Sequence, residues 1–445
     1  TGLQKRLLPL LKKVITDKKK RMFITTLKKK YITLIVIISI LTGVNTTLAA
    51  YQTDVISDMA LIYQGGTHRP EWTEDELRPY VIHTFADGRM DWFFDSFLFF
   101  EFTDNWQIAF GYNYGARNAR KSDWEWLLNR IFEKGKSLDA LNSCIEHYKT
   151  IIGEPQFKHK IVLGVVSPIT DQTDWGSLDG EVLNFAHRND QIKAAKWYID
   201  QLTERFNEGA YENLELTGFY WLEESTAKCG DLPKDVSDYI HQLNKRFYWI
   251  PYWNAQGYNL WRKLGFDTAF LQPNHFFDKE IADDRLLQAC NTANKFNMGL
   301  EVEFDSRVLY ENEDSYYSRL ESYINAFEKN NVFENSAIAY YSGTKGILDM
   351  YRSNSIENTL ILDRIANHIL KRRSRSVGIE TTNDPKTDVI VAGGIGELRI
   401  EGIAESIKIY TINGILVSEN TRKLQCVPGV YIVKIDGETR KVIVR

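Results

Sequence analysis

Short apolar or aromatic runs alternate with longer amphipathic stretches from residue 58 to about residue 376. In the longer stretches, such as AAKWYIDQLTERF and DSYYSRLESYINAFEKN, apolar residues recur every three or four positions, which predicts helices. The alternation of such helices with short strands indicates a parallel sheet. We predict eight strands, at residues 59–65, 91–102, 160–168, 214–224, 246–254, 266–274, 298–305 and 336–343.

Eight strands spread over roughly 320 residues predict a (β/α)8 TIM barrel, a fold that takes about 250 residues before insertions. The barrel would span residues 51–376, and an open, doubly wound sheet is the alternative fold. Two loops are enlarged, at 103–122 and 169–190, and both follow predicted strands. In a barrel they would lie at the carboxyl-terminal face, where active sites are built.

The last 58 residues, 388–445, follow a different pattern, in which SIKIYTI and GVYIVKID alternate apolar and polar residues. Asn413-Gly414 and Asp436-Gly437 are typical of hairpin turns, so we predict a small β-sandwich after a polar linker at 377–387. The order of Tyr410 with Asn413-Gly414, then VPGVYIVKI, then KVIV resembles the C-terminal sorting or accessory domains of secreted Bacteroidetes proteins. The resemblance implies that the protein is exported.

Residues 1–50 have the features of an export signal. Three lysines at 28–30 precede an apolar run of 11 residues at 31–41, and the small residues Ala49 and Ala50 suit cleavage. The run is shorter than the roughly 20 residues of a membrane span, and an uncleaved anchor is the alternative. We therefore expect a secreted, periplasmic or cell-surface protein with no membrane attachment beyond the export signal.

The charge balance excludes some classes of partner. The chain has 55 basic and 59 acidic residues, of which residues 1–50 hold 11 and one, so the remainder carries 44 and 58, a net charge of −14. Such an acidic surface disfavours nucleic acid and anionic membranes. The four cysteines lie far apart and the eight histidines show no HExxH spacing, so we predict neither metal nor other cofactor. One disulfide is possible.

Acidic residues occupy alternate positions of the seventh predicted strand, MGLEVEFD. If Leu300 and Val302 face the helices, Glu301 and Glu303 point into the barrel, and Asp305 follows on the same face. A buried carboxylate is costly unless it is paired or hydrogen-bonded, so this row of acids needs a purpose. Glu303 lies near the end of the strand where a barrel displays catalytic groups.

The fourth predicted strand, LELTGFYWLEE, ends in two further acids. If its leucines and Tyr220 face the helices, strict alternation directs Trp221 and Glu223 toward the barrel mouth. Glu224 would begin the following loop and is the fallback to Glu223. Strands four and seven lie on opposite sides of an eight-stranded barrel, so Glu223 and Glu303 can meet in one cleft.

Two carboxyl groups about 5 Å apart serve retaining glycoside hydrolysis, whereas a gap of about 6.5 to 9.5 Å suits inversion. The arrangement resembles the large clan of (β/α)8 glycoside hydrolases, in which the acid/base follows strand four and the nucleophile follows strand seven. The resemblance implies that Glu223 is the acid/base and Glu303 the nucleophile. In that clan an Asn usually precedes the strand-four Glu, whereas Leu222 precedes it here.

Polar and aromatic residues at the other predicted strand ends suit sugars, whose hydroxyls need hydrogen-bond partners and whose C–H faces stack on rings. All 11 tryptophans lie between positions 72 and 261, which favours an aromatic cleft in the barrel. A structural role in the core is the alternative for each of them, and likewise for His275 and Glu301. The candidate substrate-binding residues are Trp221, Glu224, Trp253, Asn254, Gln272, Asn274, His275, Glu301, Asp305 and Glu101.

Three motifs, GFYWLEE, IPYWNAQG and FLQPNHFF, cover most of the predicted cleft. With them the barrel resembles a secreted Bacteroidetes family catalogued as domain of unknown function 4855, which implies a fold but no activity. Our leading hypothesis is an exported glycoside hydrolase that cleaves an oligosaccharide or polysaccharide by the retaining route. A glycan-binding barrel without turnover and a structural surface protein are the alternatives.

Overall fold

A computed structural model gives the fold of most of the chain. The predicted export signal at 1–50, apart from its last residue, and the predicted linker at 377–387, apart from its first, lie outside the described residues. The described residues are 50–66, 68–377, 390–393, 397–401, 406–412, 414–435 and 438–444.

Eight parallel strands form a closed barrel, each paired with its neighbours in chain order and the last paired with the first. Closure confirms the predicted TIM barrel and excludes the open doubly wound sheet. Every predicted strand overlaps one of the eight, although β1 and β3 begin one residue before the predicted range and several strands are shorter than predicted. They are β1 (Asp58–Tyr63), β2 (Ser96–Phe100), β3 (His159–Val165), β4 (Leu214–Trp221), β5 (Arg246–Trp249), β6 (Thr268–Leu271), β7 (Gly299–Glu303) and β8 (Ile338–Tyr341).

Helices follow the strands and cover the outside of the barrel. The connection from β5 to β6 holds only a 3-10 helix, Tyr258–Leu264, and a second one, Ser306–Val308, follows β7. The α-helices are α1 (Glu74–Val81), α2 (Lys121–Ile131), α3 (Ser137–Ile152), α4 (Arg188–Glu208), α5 (Thr226–Cys229), α6 (Leu232–Gln242), α7 (Asp284–Phe296), α8 (Tyr317–Lys329), α9 (Val332–Asn335), α10 (Gly346–Arg352) and α11 (Ile356–Val377).

The two enlarged loops follow β2 and β3, as predicted. The first contains the short paired segments Ile108–Ala109 and Arg117–Asn118, and the second contains the hairpin of Gly176–Leu178 with Glu181–Leu183. A further hairpin, Ile82–Thr84 with Met90–Trp92, precedes β2.

Buried charges close the amino-terminal end of the barrel. Asp54 accepts hydrogen bonds from the Arg246 guanidinium at 2.6 Å and from the Tyr248 hydroxyl at 3.1 Å. Asp58 accepts one from the Tyr340 hydroxyl at 2.8 Å and lies 3.3 Å from Arg372. These partners compensate the two buried carboxylates at this end of the barrel.

The C-terminal region forms two antiparallel sheets that share one apolar cluster, which confirms the predicted β-sandwich. Leu398 and Ile400 contribute to the cluster from one sheet, and Ile409 and Val433 from the other. The strands are β9 (Ile390–Gly393), β10 (Glu397–Glu401), β11 (Ile407–Thr411), β12 (Leu416–Glu419), β13 (Lys423–Gln425), β14 (Gly429–Ile435) and β15 (Glu438–Val444).

Two further features bear on the sequence expectations. All four cysteines are free thiols, so the possible disulfide is not formed. In the described part of the chain, no helix combines the length and the apolar character needed to cross a membrane.

Candidate active site

A bulge in β4 decides which side chains point into the barrel. Leu216 pairs with Ile161 of β3 and Gly218 pairs with Val162, which leaves Thr217 without an opposite residue. One extra residue shifts the alternation of side chains by one position. From Gly218 onward, therefore, the even-numbered residues of β4 point inward.

Ring contacts show this shift directly. The Tyr220 ring packs against Phe100 of β2 with centroids 5.3 Å apart, and the contact crosses the barrel interior past Gly164 of β3. The buried Trp221 ring instead contacts Phe247, outside the barrel. The predicted orientations of Tyr220 and Trp221 are therefore wrong, because strict alternation ignores the bulge. Trp221 does not face the cleft.

The side chains of β7 follow the predicted alternation, and Glu301 and Glu303 both lie inside the barrel. Three donors fix the Glu303 carboxylate. The Asn274 backbone N–H and the Tyr323 hydroxyl donate to its Oε2 at 2.6 and 2.7 Å, and the Asn274 side-chain amide donates to its Oε1 at 3.2 Å. These bonds hold an ionised carboxylate in one orientation.

Two amide side chains connect Glu303 to a second carboxylate. The Asn274 amide also donates to the Gln272 oxygen at 3.1 Å, and the Gln272 amide donates to Glu224 Oε1 at 2.7 Å. The residues Glu224, Gln272, Asn274 and Glu303 thus form one hydrogen-bonded chain from the end of β4, through the segment after β6, to the end of β7. The partner of Glu303 at the mouth is Glu224.

Glu301 lies two residues before Glu303 on β7, deeper in the barrel. It is 2% exposed, and no hydrogen bond to its carboxyl group is found among the described residues. Burial, together with the nearby Glu303 and Glu224, raises its pKa well above the ordinary value. Burial and the neighbouring carboxyl groups therefore favour the neutral form of Glu301, which can both donate and accept hydrogen bonds.

The same physical causes shift the other two acids of the cluster. Burial, with the charges of Glu303 and Glu223, raises the pKa of Glu224 to about 8. Burial raises the pKa of Glu303 to about 7 against the stabilising bonds from Tyr323 and Asn274. Near neutral pH, Glu224 is mostly protonated, and the negative charge of the cluster resides on Glu303 because only Glu303 has three donors.

Glu223 points to a different part of the mouth. Its Oε1 accepts the Tyr112 backbone N–H at 2.8 Å. Tyr112 lies in the enlarged loop after β2. Burial raises the pKa of Glu223 to about 7. The structure thus joins Glu303 to Glu224 by hydrogen bonds, and it places Glu223 under the β2 loop.

The family model for DUF4855, a domain of unknown function, matches residues 58–367. The chain belongs to the DUF4855 family. The match includes every strand of the barrel and all three motifs that indicated this family. A search of curated proteins finds no match.

Several solved structures are similar to this DUF4855 protein, but only at a low level. A candidate alpha-L-fucosidase from Bacteroides thetaiotaomicron is 12% identical, with a TM-score of 0.38, over 74% of this chain and 98% of that one. A mutant tryptophan synthase alpha-subunit from Pyrococcus furiosus is 8% identical, with a TM-score of 0.33, over 71% and 98%. A mutant protein in complex with xylotriose is 11% identical, with a TM-score of 0.34, over 65% and 85%. Similarities at this level carry no conclusion about function.

One predicted binding residue of the DUF4855 barrel, Trp253, contacts the chain of Glu224, Gln272, Asn274 and Glu303. The Trp253 backbone N–H donates to the Asn274 side-chain oxygen at 2.7 Å, and the half-buried Trp253 ring lies 4.9 Å from the Arg285 guanidinium. Its neighbour Asn254 is exposed. Trp253 therefore supports the orientation of Asn274.

Three other predicted binding residues have protein partners of their own. Glu101 is buried and bonded twice to Arg69 at 2.8 Å. Asp305 caps the 3-10 helix after β7 and bonds Arg307. Burial lowers the pKa of His275 to about 4, and its ring is bonded to Asp283 at 2.8 Å. The neutral His275 is thus a structural residue behind the site.

Tyrosines that were not predicted from the sequence also lie at the mouth. Tyr323 comes from α8, and only the packing of that helix against β7 brings it to Glu303. Tyr114 stacks on Phe102 with centroids 4.3 Å apart. Burial raises the pKa of Tyr114, and Glu224 and Glu223 add to the rise. The aromatic composition of the 103–122 loop was the available signal.

Metal-based chemistry has no evident site here. Within the described ranges, no group of three His, Cys, Asp or Glu side chains has an arrangement that could hold a metal ion. The described side chains at the mouth provide paired carboxyl groups beside amides and aromatic rings.

Proposed function

We propose that this DUF4855 protein is a glycoside hydrolase, with Glu303 as nucleophile and Glu224 as acid/base. One observation carries the proposal, namely the hydrogen-bonded chain that links the carboxyl groups of Glu224 and Glu303 across the mouth. Glycoside hydrolysis needs two carboxyl groups in different protonation states, one on either side of the scissile bond.

The raised pKa of Glu224, about 8, keeps a proton available for the leaving glycosidic oxygen. The ionised Glu303 would attack the anomeric carbon and form a glycosyl ester. Glu224, now deprotonated, would then take a proton from the water that hydrolyses the ester. This is the retaining route, which we favour because three donors hold the Glu303 carboxylate in one orientation. Inversion would give the opposite product anomer.

Glu224 replaces Glu223 in this assignment. The bulge at Thr217 turns the even-numbered residues of β4 inward, and Gln272 attaches Glu224 to the chain that ends at Glu303. Glu223 accepts the Tyr112 backbone N–H instead. The hydrogen-bonded chain from Glu303 therefore ends at Glu224 and does not include Glu223.

We propose an oligosaccharide or polysaccharide of neutral sugars as substrate. Support comes from the aromatic rings of Tyr114 and Tyr341 near the carboxyl groups, because such rings pack on the C–H faces of sugars. Anionic sugars are disfavoured by the net charge of −14 outside residues 1–50. The N-terminal pattern supports export as part of the same proposal.

The test is hydrolysis of a broad panel of glycans by the wild type, Glu303→Gln and Glu224→Gln, with release of reducing sugar as the readout. We expect each variant to lose about a thousandfold or more of kcat/KM on natural glycans. The exposed Glu215→Gln on the same strand is the matched control and should keep full activity. Binding without turnover in the wild type would indicate the glycan-binding alternative, and full activity of Glu303→Gln would exclude the mechanism.

A further inference from the structure

Glu223 is the one buried strand-four acid that the proposed mechanism leaves without a role. It is 7% exposed, and its Oε1 accepts the Tyr112 backbone N–H at 2.8 Å. A Cβ atom added to the neighbouring Gly111 would lie 3.0 Å from the same oxygen. The carboxyl group therefore lies directly against the backbone of the Gly111–Tyr112 turn.

Other bonds connect this turn to the barrel wall. The Phe110 backbone N–H donates to Phe102 at 2.9 Å, and the Ser167 backbone N–H donates to Phe110 at 3.1 Å. The Tyr112 hydroxyl donates to Thr170 at 2.6 Å and accepts the Thr170 backbone N–H at 2.7 Å. Glu223, which follows β4, adds a bond from its carboxyl group to the Tyr112 backbone. The turn is thus bonded to the segments that follow β2, β3 and β4.

The position of Tyr114 depends on this turn. Two residues beyond Tyr112, the Tyr114 ring stacks on Phe102 and lies within electrostatic range of Glu224 and Tyr252. Tyr252 is 40% exposed and lies after β5. A sugar next to Glu224 would therefore meet the Tyr114 ring on one side of the cleft.

We propose that Glu223 is a positioning residue that anchors the 110–115 turn and so holds the Tyr114 ring as a wall of the sugar-binding cleft. The proposal rests on the proposed function, because the wall is defined relative to the Glu224–Glu303 pair. Glu223 acts through the turn and contributes no proton transfer.

Four variants separate these roles. Glu223→Gln keeps an oxygen that can accept the Tyr112 N–H, Glu223→Leu removes it, Tyr114→Ala removes the wall, and Glu215→Leu is a matched control on the exposed side of β4. Thermal unfolding first establishes that each variant is folded. Hydrogen exchange of the Tyr112 amide then reports the anchor, and separate kcat and KM values report the cleft.

We expect the Tyr112 amide to exchange at least about tenfold faster in Glu223→Leu and to stay protected in Glu223→Gln. Glu223→Leu and Tyr114→Ala should each raise KM by about tenfold with a smaller change in kcat, and Glu223→Gln should recover most of the loss. A kinetic loss in Glu223→Gln as large as that in Glu224→Gln would overturn the proposal, because Glu223 would then act chemically.

Two further outcomes also count against it. If hydrogen exchange of the Tyr112 amide is unchanged in Glu223→Leu, Glu223 does not anchor the turn. If KM is unchanged in Tyr114→Ala, the Tyr114 ring is not a wall of the cleft. A wild type that binds glycans without cleaving them would contradict only the proposed function, since the same variants can be compared by their Kd values. A wild type without any glycan affinity would overturn the cleft wall as well.

Discussion

Three carboxyl groups, those of Glu224, Glu301 and Glu303, share the barrel mouth, and each has a raised pKa. Like charges held together in a low-dielectric site cannot all ionise, so the donors around each group decide where the charge resides. Asn274 and Tyr323 direct it to Glu303. Hydrogen bonding therefore favours an ionised Glu303 beside a protonated Glu224, the two states that glycoside hydrolysis requires.

The pH dependence of activity should reflect this division. Activity needs Glu303 ionised and Glu224 protonated, so kcat/KM should rise as pH passes the Glu303 pKa of about 7 and fall as it passes the Glu224 pKa of about 8. With an aryl glycoside, whose leaving group needs no protonation, most of the decrease of kcat/KM at high pH should disappear. Initial rates in buffers of constant ionic strength provide the measurement, and an optimum below about pH 5 would contradict the assignment.

Glu301 should make stability depend on pH. Its pKa is raised above the ordinary value of 4.5, so the folded state holds a proton that the unfolded chain releases above that pH. The contribution of Glu301 to stability is therefore largest in acid and decreases as pH rises above 4.5. Gln cannot ionise, so Glu301→Gln should raise Tm relative to the wild type by about 3 °C more at pH 8 than at pH 5.

The control for that measurement is Glu215→Gln, which alters an exposed carboxylate of β4. Its Tm difference from the wild type should be equal at the two pH values. If Glu301→Gln also shows equal differences, Glu301 is ionised in the folded protein, and the account of the cluster is wrong.

At the scale of elements, the bulge in β4 changes the site. The alternation of apolar and polar residues predicted the strand but assumed one unbroken register, and this assumption favoured Glu223. The extra residue, Thr217, is buried like its apolar neighbours, and the adjacent Gly218 was the one available signal of a bulge in the sequence. For β7, which has no bulge, alternation placed Glu301 and Glu303 correctly.

Gly218 shows how tightly β4 and β5 approach after the bulge. A Cβ atom at this position would lie 2.2 Å from the Arg246 carbonyl oxygen, which is backbone and cannot rotate away. We expect Gly218→Ala to lower the free energy of unfolding by about 2–3 kcal/mol, as overpacking does. Denaturant titration followed by tryptophan fluorescence measures this, since all 11 tryptophans lie between residues 72 and 261.

Glu215→Ala, at an exposed position of the same strand, is the comparison and should shift the free energy of unfolding by less than about 0.5 kcal/mol. Equal stability of Gly218→Ala and Glu215→Ala would mean that the two strands do not approach as closely as described.

At the scale of the whole molecule, the sequence predicted more of the fold than of the site. Helical and strand periods identified eight strands and a separate β-rich tail, because each element repeats a local pattern. The pairing of Glu224 with Glu303 instead depends on Gln272 and Asn274, two amides whose connection exists only after β4, β6 and β7 have closed into a barrel. Export remains a proposal supported by the terminal patterns.

The central claim is that Glu303 is the nucleophile of a retaining glycosidase. Its most direct test is to treat the protein with the 2-deoxy-2-fluoro glycosyl fluoride of a sugar that it cleaves, and to locate the adduct by peptide mass spectrometry. The account predicts one covalent glycosyl group, on Glu303, and no adduct in Glu303→Gln. An adduct on Glu223, Glu224 or Glu301, or release of the inverted anomer from the natural substrate, would contradict it.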